Sequence, residues 1–458
     1  MRALPLVIIG SLVSAGIPSR NTLAGQSEGQ IGYETFTLPN GLRVIYSEDH
    51  STPVVSVDVW YRVGARNERP SRGGFAHLFE HMMFQGSAHV RKAEHFQLIN
   101  RAGGQMNGST GDDRTNYWNQ LPSNRLNLAL WLEADRMRSL AITEENFHNQ
   151  RETVKEERRL RVDNQPYIPG LLDGFTLPFD STSCFAYAHP GIGSMDDLNA
   201  APLKDVQAFF DTYYTPNNAT LVVVGDFQPA ELREHVNRYF ADIPRRPDPP
   251  AVTCDWRLSP GSVRREMQDA HANLPATLRF YRVPPHPDPD TPALQLLQII
   301  LGQGESARLN VAVVRRAKTA LAVQTFLTPD RRGPGVLVAL AIANQGVAVE
   351  QLDTLLAAQL DSLRATGVTA DELTKAKNTF RANYIQGRET TLGRAEELHH
   401  FDLMHASLAE INTDLDRYVA VTADDIRRVA SKYLDPANVV VIIVKPASGG
   451  QASEGGAR

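Results

Sequence analysis

The sequence has few cysteines, no excess of positive charge and no long apolar run beyond its first residues. Only Cys184 and Cys254 occur among 458 residues, so neither a cysteine zinc site nor a network of disulfides holds this fold. In an oxidising compartment the two would pair, and otherwise they are isolated thiols; the sequence leaves both possibilities open. The formal net charge of −5 gives no basic field for nucleic acid or an anionic membrane surface, so neither partner is expected.

One apolar stretch does occur, at the start of the chain. A single arginine precedes apolar residues from Ala3 to Ile17, a run too short for a spanning helix and typical of a secretory signal. We therefore predict a signal peptide over 1–25 and a periplasmic or secreted protein; an uncleaved N-terminal anchor is the alternative. No later segment reaches the roughly 20 apolar residues of a membrane span, so no stable span is expected.

The chain divides at a proline-dense stretch. Its proline density is incompatible with a helix or a central strand and predicts a linker at 244–256, PRRPDPPAVTCDW. It separates a predicted domain at 30–243 from a second at 257–446, and the glycine-rich tail at 447–458 is predicted to be disordered. Strand alternation dominates the start of the first domain, and helical periods follow around 75–83, 91–101, 123–139 and 144–161.

The two domains look like copies of each other. DVQAFFDTYYTPNNATLVVVG begins at Asp205 and DIRRVASKYLDPANVVVIIV at Asp425, with Pro216 and Pro436 in register. A second pair of similar segments occurs in the same order in both halves, which indicates a duplicated α+β domain. Chance similarity between two unrelated α+β domains is the alternative.

The segment GGFAHLFEHMMF, from Gly73, places three ionisable groups inside an apolar run. On a helix, His77 and His81 share one face, and Glu80 lies beside them. Histidines at this spacing are a recurrent way to hold zinc, and the carboxylate between them lies where a general base is needed. A partly exposed helix with two incidental histidines is the alternative, but the apolar flanks argue for burial and the order His-x-x-Glu-His is that of the inverted zinc-protease motif.

A catalytic zinc site needs a third protein ligand, and a later helix offers one. TEENFHNQRETVKEERRLRV starts at Thr143, and its apolar stripe contains Glu157, whereas Glu152 and Glu156 face solvent. A carboxylate on that stripe needs a partner, which is either the zinc ion or Arg161 one turn later.

These residues together resemble the pitrilysin/insulinase family of zinc metallopeptidases. The resemblance runs from about Phe36 to Pro446 and implies His77, His81 and Glu157 as zinc ligands and Glu80 as general base. It implies an α+β fold class with two similar domains, each a mainly antiparallel sheet flanked by helices, facing each other across a chamber that admits peptides. The matching stretch of the second domain, ALQLLQIILGQGES, has no histidine, so one Zn2+ per chain is expected.

The same resemblance assigns a substrate strand. QMNGSTG matches an exposed edge strand that pairs with substrate backbone, with Asn107 at the position of a substrate-contacting asparagine. A small, polar edge strand suits main-chain pairing with peptides of varied sequence. A turn-rich hairpin without a ligand would explain the glycines equally well.

The chain departs from the family pattern at two places. Relatives carry an arginine and a tyrosine, seven apart, that steady the substrate carbonyl; here Arg316 is followed by Val323, which cannot donate a hydrogen bond. We therefore predict a homodimer or heterodimer in which a partner subunit supplies the missing tyrosine. Gln150 stands where many relatives have a glutamate that supports the metal ligands, and an amide does so without charge.

The sequence thus predicts a zinc metalloendopeptidase that hydrolyses unfolded peptides. The rival is a non-catalytic peptide-binding or scaffold subunit that keeps the zinc fold, which Val323 and Gln150 favour and the intact Glu80 opposes. A plain globular protein with incidental histidines is a third possibility, and it predicts no stoichiometric metal.

Overall fold

The structure is a computed structural model that describes residues 29–257, 261–328, 331–405 and 407–447. The predicted signal peptide and all but the first residue of the predicted tail lie outside these residues. Within them, no helix is both long enough and apolar enough to cross a membrane.

Two β-sheets organise the chain. The first has the strand order β1-β2-β6-β3-β5-β4 and the second the order β7-β11-β8-β10-β9. The strands are β1 (Glu34–Thr37), β2 (Arg43–Glu48), β3 (Val54–Tyr61), β4 (Gln105–Thr110), β5 (Thr115–Pro122), β6 (Ala219–Gly225), β7 (Val263–Asp269), β8 (Ala276–Val283), β9 (Ala320–Leu327), β10 (Gly335–Ala343) and β11 (Val439–Pro446).

The topology of the second sheet repeats that of the first. Strands β2 to β6 and β7 to β11 follow the same spatial order, and β1 is an addition at the edge. In each sheet one pair is parallel, β2 with β6 and β7 with β11, and the other pairs are antiparallel. The predicted fold class, α+β with two similar and mainly antiparallel domains, is confirmed.

Helices cover the sheets. They are α1 (Phe75–Met82), α2 (Glu94–Arg101), α3 (Leu126–Ser139), α4 (Glu144–Arg158), α5 (Ile168–Thr176), α6 (Met195–Ala200), α7 (Leu203–Tyr213), α8 (Pro229–Phe240), α9 (Thr291–Gly302), α10 (Val349–Thr366), α11 (Ala370–Gln386), α12 (Thr391–Met404), α13 (Asp414–Ala420) and α14 (Ala423–Tyr433). The predicted linker residues, 244–256, are all described and contain no helix or strand.

Each half of the chain sends one helix to the sheet of the other half. Helix α5 packs on β8 and β11 of the second sheet, and α12 packs on β3 and β6 of the first. At Gly174 in α5, an added Cβ would lie 1.9 Å from the Phe280 ring, so only glycine permits this close approach. The exchange joins the two domains through buried apolar surface. The disulfide between Cys184 and Cys254 lies in the same apolar cluster as α5.

Candidate active site

Helix α1 carries the predicted zinc motif and is held firmly at its start. Its apolar side, which includes Leu78 and Phe79, is fully buried in the first domain. The buried carboxylate of Glu68 accepts hydrogen bonds from the backbone N–H groups of Gly74 and Ala76, at 2.9 and 2.8 Å. These N–H groups at a helix start have no partner within the helix, so Glu68 both satisfies them and fixes the direction of α1.

The three predicted zinc ligands converge. His77 Nε2 lies 3.6 Å and His81 Nε2 3.1 Å from the same carboxylate oxygen, Oε2 of Glu157 on α4. One ligand atom from each residue lies within 4.8 Å of the other two. Two imidazole nitrogens and one carboxylate oxygen are the donor set of a catalytic zinc site that keeps a position open for water. The residues present therefore fit a zinc ion.

The two carboxylate oxygens of Glu157 face different partners. Arg161 Nη1 lies 3.1 Å from Glu157 Oε1, but the arginine side chain is 76% exposed whereas that of Glu157 is 18% exposed. The pair is therefore not a buried one, and the other oxygen of Glu157 faces the histidines. Glu152 and Glu156 have exposed side chains on α4, as the helical stripe predicts.

Glu80 is oriented and partly desolvated beside these ligands. Thr110 Oγ1 on β4 donates a hydrogen bond of 2.7 Å to Glu80 Oε2. Burial raises the pKa of Glu80, which makes its carboxylate a better proton acceptor. Burial, with the nearby His81, lowers the pKa of His77 to about 4, so its imidazole is neutral at pH 7, the state that binds metals.

Strand β4 runs past Glu80 as an edge strand of the first sheet. Among the residues that the structure describes it pairs only with β5, so they leave its second edge open for another chain. At Gly108, an added Cβ would lie 3.3 Å from Glu80 Cγ, which places the strand directly against the candidate base. Asn107 is exposed and, by the alternation of a strand, points to the opposite side of the sheet from Glu80.

A cavity of about 370 Å³ opens on the ligands and is lined by both halves of the chain. His77, Glu157 and Thr110 line it from the first domain, and Arg331 enters from the second. Arg331 Nε lies 2.5 Å from Asp112 Oδ2, so the two domains meet at this cavity through an ion pair. Neither Thr110 nor Arg331 is among the site residues predicted from the sequence. In a strand Thr110 shares a face with Gly108, and this alternation is the signal that could have identified it.

The remaining predicted site residues lie elsewhere or have other partners. Arg316 is exposed at the end of a π-helical segment, Asn310–Arg316, and does not line the cavity at His77. Val323 is buried in the core of the second domain. Gln150 is buried on α4, and its amide donates to Asn149 Oδ1 at 2.7 Å. The substrate-binding role of Arg316 and the supporting role of Gln150 stay predictions.

We expect Glu68→Ala to destabilise the first domain. The change leaves the N–H groups of Gly74 and Ala76, and His189 Nε2 at 3.0 Å, without their acceptor inside the protein. Each unsatisfied buried group costs about 1–3 kcal/mol, so even the lower bound for these three groups lowers the free energy of unfolding by about 3 kcal/mol. Urea unfolding measures this, with Glu234→Ala on the exposed side of α8 as the control; equal unfolding midpoints would contradict it.

Comparison with known proteins gives a consistent answer. Residues 43–169 match the family model described as Insulinase (Peptidase family M16), and residues 201–380 match that of the Peptidase M16 inactive domain. The zinc protease PqqE of Helicobacter pylori is 30% identical over 420 residues, which cover 90% of this chain and 93% of that protein.

Solved structures agree with the sequence relatives. The crystal structure of a protease from Helicobacter pylori has a TM-score of 0.83 and 29% identity, covering 91% of this chain and all of that one. The periplasmic protease PqqL from Escherichia coli shares the fold, with a TM-score of 0.72 at 18% identity over 92% of this chain and 48% of its own. The chain belongs to the insulinase family of peptidases, family M16.

Proposed function

We propose that this chain is a zinc-dependent metalloendopeptidase that hydrolyses unfolded peptides. The observation that carries the proposal is the convergence of His77, His81 and Glu157 beside the partly buried carboxylate of Glu80. A carrier of structural metal has no need of a base at that place. The names of the zinc protease relatives support the same reaction class.

The mechanism follows from what each side chain does. His77, His81 and Glu157 would hold the zinc ion, which when bound supplies Lewis-acid activation of water and of the scissile carbonyl. Glu80 accepts a proton from the attacking water and then delivers it to the leaving amine. Thr110 keeps one carboxylate oxygen of Glu80 fixed, which leaves the other oxygen for this proton transfer.

The open edge of β4 supplies the substrate contacts. A peptide that pairs with this edge makes main-chain hydrogen bonds irrespective of its sequence, provided that it is extended and hence unfolded. Because β4 lies against Glu80 at Gly108, a peptide bond on this edge is brought next to the candidate base. Asn107, exposed on the same strand, is the proposed side-chain contact to substrate.

The direct test is cleavage of a fluorogenic, unstructured peptide by the purified protein saturated with zinc. We expect cleavage, its loss on chelation, and its return with zinc. His81→Gln removes one ligand and should lose cleavage and the zinc bound at this site, whereas His148→Gln, on an exposed position of α4, should keep both. Cleavage that survives in His81→Gln would overturn the proposal.

A smaller change tests the role of β4. Gly108→Val would press its side chain against Glu80 Cγ, Asn116 O and the Tyr117 ring, all within 3.3 Å of an added Cβ. Since a displacement of about 1 Å at a catalytic group costs about 10²-fold, we expect kcat to fall by about 10- to 100-fold with zinc retained. Gln105→Val, exposed on the other face of β4, serves as control; the idea fails if both variants cleave equally.

A second candidate is a zinc-holding subunit that binds peptides without cutting them. The buried Val323, where relatives have a tyrosine donor, favours it. In that case the protein holds zinc, binds the peptide and leaves it intact, so the cleavage assay separates the two functions.

We propose further that the chain works with a second subunit. The chain covers only 48% of PqqL, so two chains of this fold together would have about the length of that one protein. The partner would supply the tyrosine that Val323 replaces. Co-purification from native extract and light scattering of the pure protein test this, and full activity of a lone homodimer would refute the need for a different partner.

We propose a periplasmic or extracellular location. The pattern of the first 25 residues and the disulfide between Cys184 and Cys254 both support export to an oxidising compartment. Fractionation of the native host with thiol labelling tests it; a cytoplasmic protein with two labelled thiols would contradict it.

A further inference from the structure

Three histidines outside the proposed active site converge on one point. His286 lies in the loop between β8 and α9, His400 lies in α12, and His405 follows the end of that helix. One ring nitrogen from each lies within 4.8 Å of the other two. His286 Nε2 and His405 Nε2 are 3.1 Å apart.

These distances suit a metal ion held by imidazoles. With Zn–N bonds of about 2.0–2.1 Å, two nitrogens of a tetrahedral site are about 3.3 Å apart, close to the observed 3.1 Å. The ring centroids are 4.7 to 5.6 Å apart, so the three rings surround a common centre. His286 is only 7% exposed, which removes the competition of bulk water for its nitrogen.

The surroundings orient one of the ligands. Glu410 Oε2 lies 3.3 Å from His405 Nδ1, which places the ring proton on Nδ1 and leaves the Nε2 lone pair facing the centre. A carboxylate behind a histidine is the usual support of a metal ligand.

The cluster joins parts of the molecule that belong to different sheets. His400 lies in α12 and His405 directly after it, and the buried residues Leu398 and Phe401 of this helix pack with strands of the first sheet. His286 follows β8, a central strand of the second sheet. An ion bound here would therefore link the helix on the first sheet to the second sheet.

We propose that His286, His400 and His405 form a second, structural zinc site that ties α12, the helix packed on the first sheet, to the second sheet. Imidazole nitrogens select zinc and its transition-metal neighbours over magnesium or calcium, which prefer oxygen. The site raises the expected metal content to two zinc ions per chain, from the one that the sequence predicts. It is independent of the proposed peptidase activity.

Metal analysis of five purified proteins tests the site. We expect two zinc ions per chain in the wild type, one in His286→Gln/His405→Gln, one in His77→Gln/His81→Gln and none when all four changes are combined. His148→Gln, exposed on α4, should keep two. One zinc in the wild type, unchanged in His286→Gln/His405→Gln, would overturn the proposal and show instead a metal-free hydrogen bond between the two rings.

A second measurement covers the case in which His286→Gln/His405→Gln does not fold. The His77→Gln/His81→Gln protein keeps His286, His400 and His405, so Co2+ added to it should give the visible absorption of a tetrahedral site, and Zn2+ should raise its Tm. An absorption of octahedral Co2+ and an unchanged Tm would refute the second site. If His77 and His81 do not bind zinc, the His77→Gln/His81→Gln protein will contain as much zinc as the wild type, and this result is distinct from a failure of the second site.

Discussion

Replacing Glu80 by glutamine is expected to abolish peptide cleavage while leaving zinc content unchanged. Glutamine has the size of glutamate, and its amide oxygen still accepts the hydrogen bond from Thr110. It cannot take a proton from water, a function usually worth about 10²- to 10⁴-fold in rate. We therefore expect kcat to fall by about that factor, with little change in KM, because the edge of β4 is untouched.

The matched control is Glu156→Gln, which makes the same chemical change on an exposed side chain of α4. Both variants should bind zinc like the wild type, since neither residue is among the three converging ligands. Cleavage by Glu80→Gln at the wild-type rate would remove Glu80 from the mechanism. Inactivity of all three proteins, each holding zinc, would instead favour the peptide-binding subunit or an absent partner.

The family, the fold class and the composition of the candidate site were readable from local patterns. Residues three and four apart on a helix share a face, so the spacing of His77, Glu80 and His81 predicts their common direction. The stripe on α4 likewise distinguishes Glu157 from its exposed neighbours. The order of similar segments in the two halves predicts the duplication, which the repeated strand order confirms.

Features that depend on contacts between distant segments were not readable. The pattern predicts a helix over 144–161, but the α-helix ends at Arg158 and continues as a π-helical segment, Arg159–Asp163, whose wider turn has no mark in the sequence. The exchange of α5 and α12 between domains likewise cannot be predicted from the sequence, because an apolar helix face does not specify which sheet covers it. The cluster of His286 with His400 and His405 follows from that exchange.

Glu133→Leu is expected to cause the largest loss of stability among these changes. Glu133 on α3 is fully buried and forms an ion pair with Arg136, which is 2% exposed. Glu133 also accepts a hydrogen bond from Asn119 at 2.5 Å. Removing the carboxylate leaves a buried guanidinium without its counter-ion, a change that typically costs about 3–5 kcal/mol. Urea or thermal unfolding measures it, and a loss below about 1 kcal/mol would contradict the argument.

The double variant Glu133→Leu/Arg136→Leu separates the pair from the packing around it. Leucines fill much of the same space without a charge, so the double variant should be more stable than Glu133→Leu alone. It should not fully recover, because the Arg136 guanidinium also lies 4.4 Å from the Tyr117 ring centroid. The Tyr117 hydroxyl in turn donates to the carbonyl of Phe79 in α1, at 3.3 Å. The buried pair of Glu133 and Arg136 thus supports, through Tyr117, the helix that carries His77 and His81. We therefore expect Glu133→Leu to release zinc at a lower urea concentration than the double variant does.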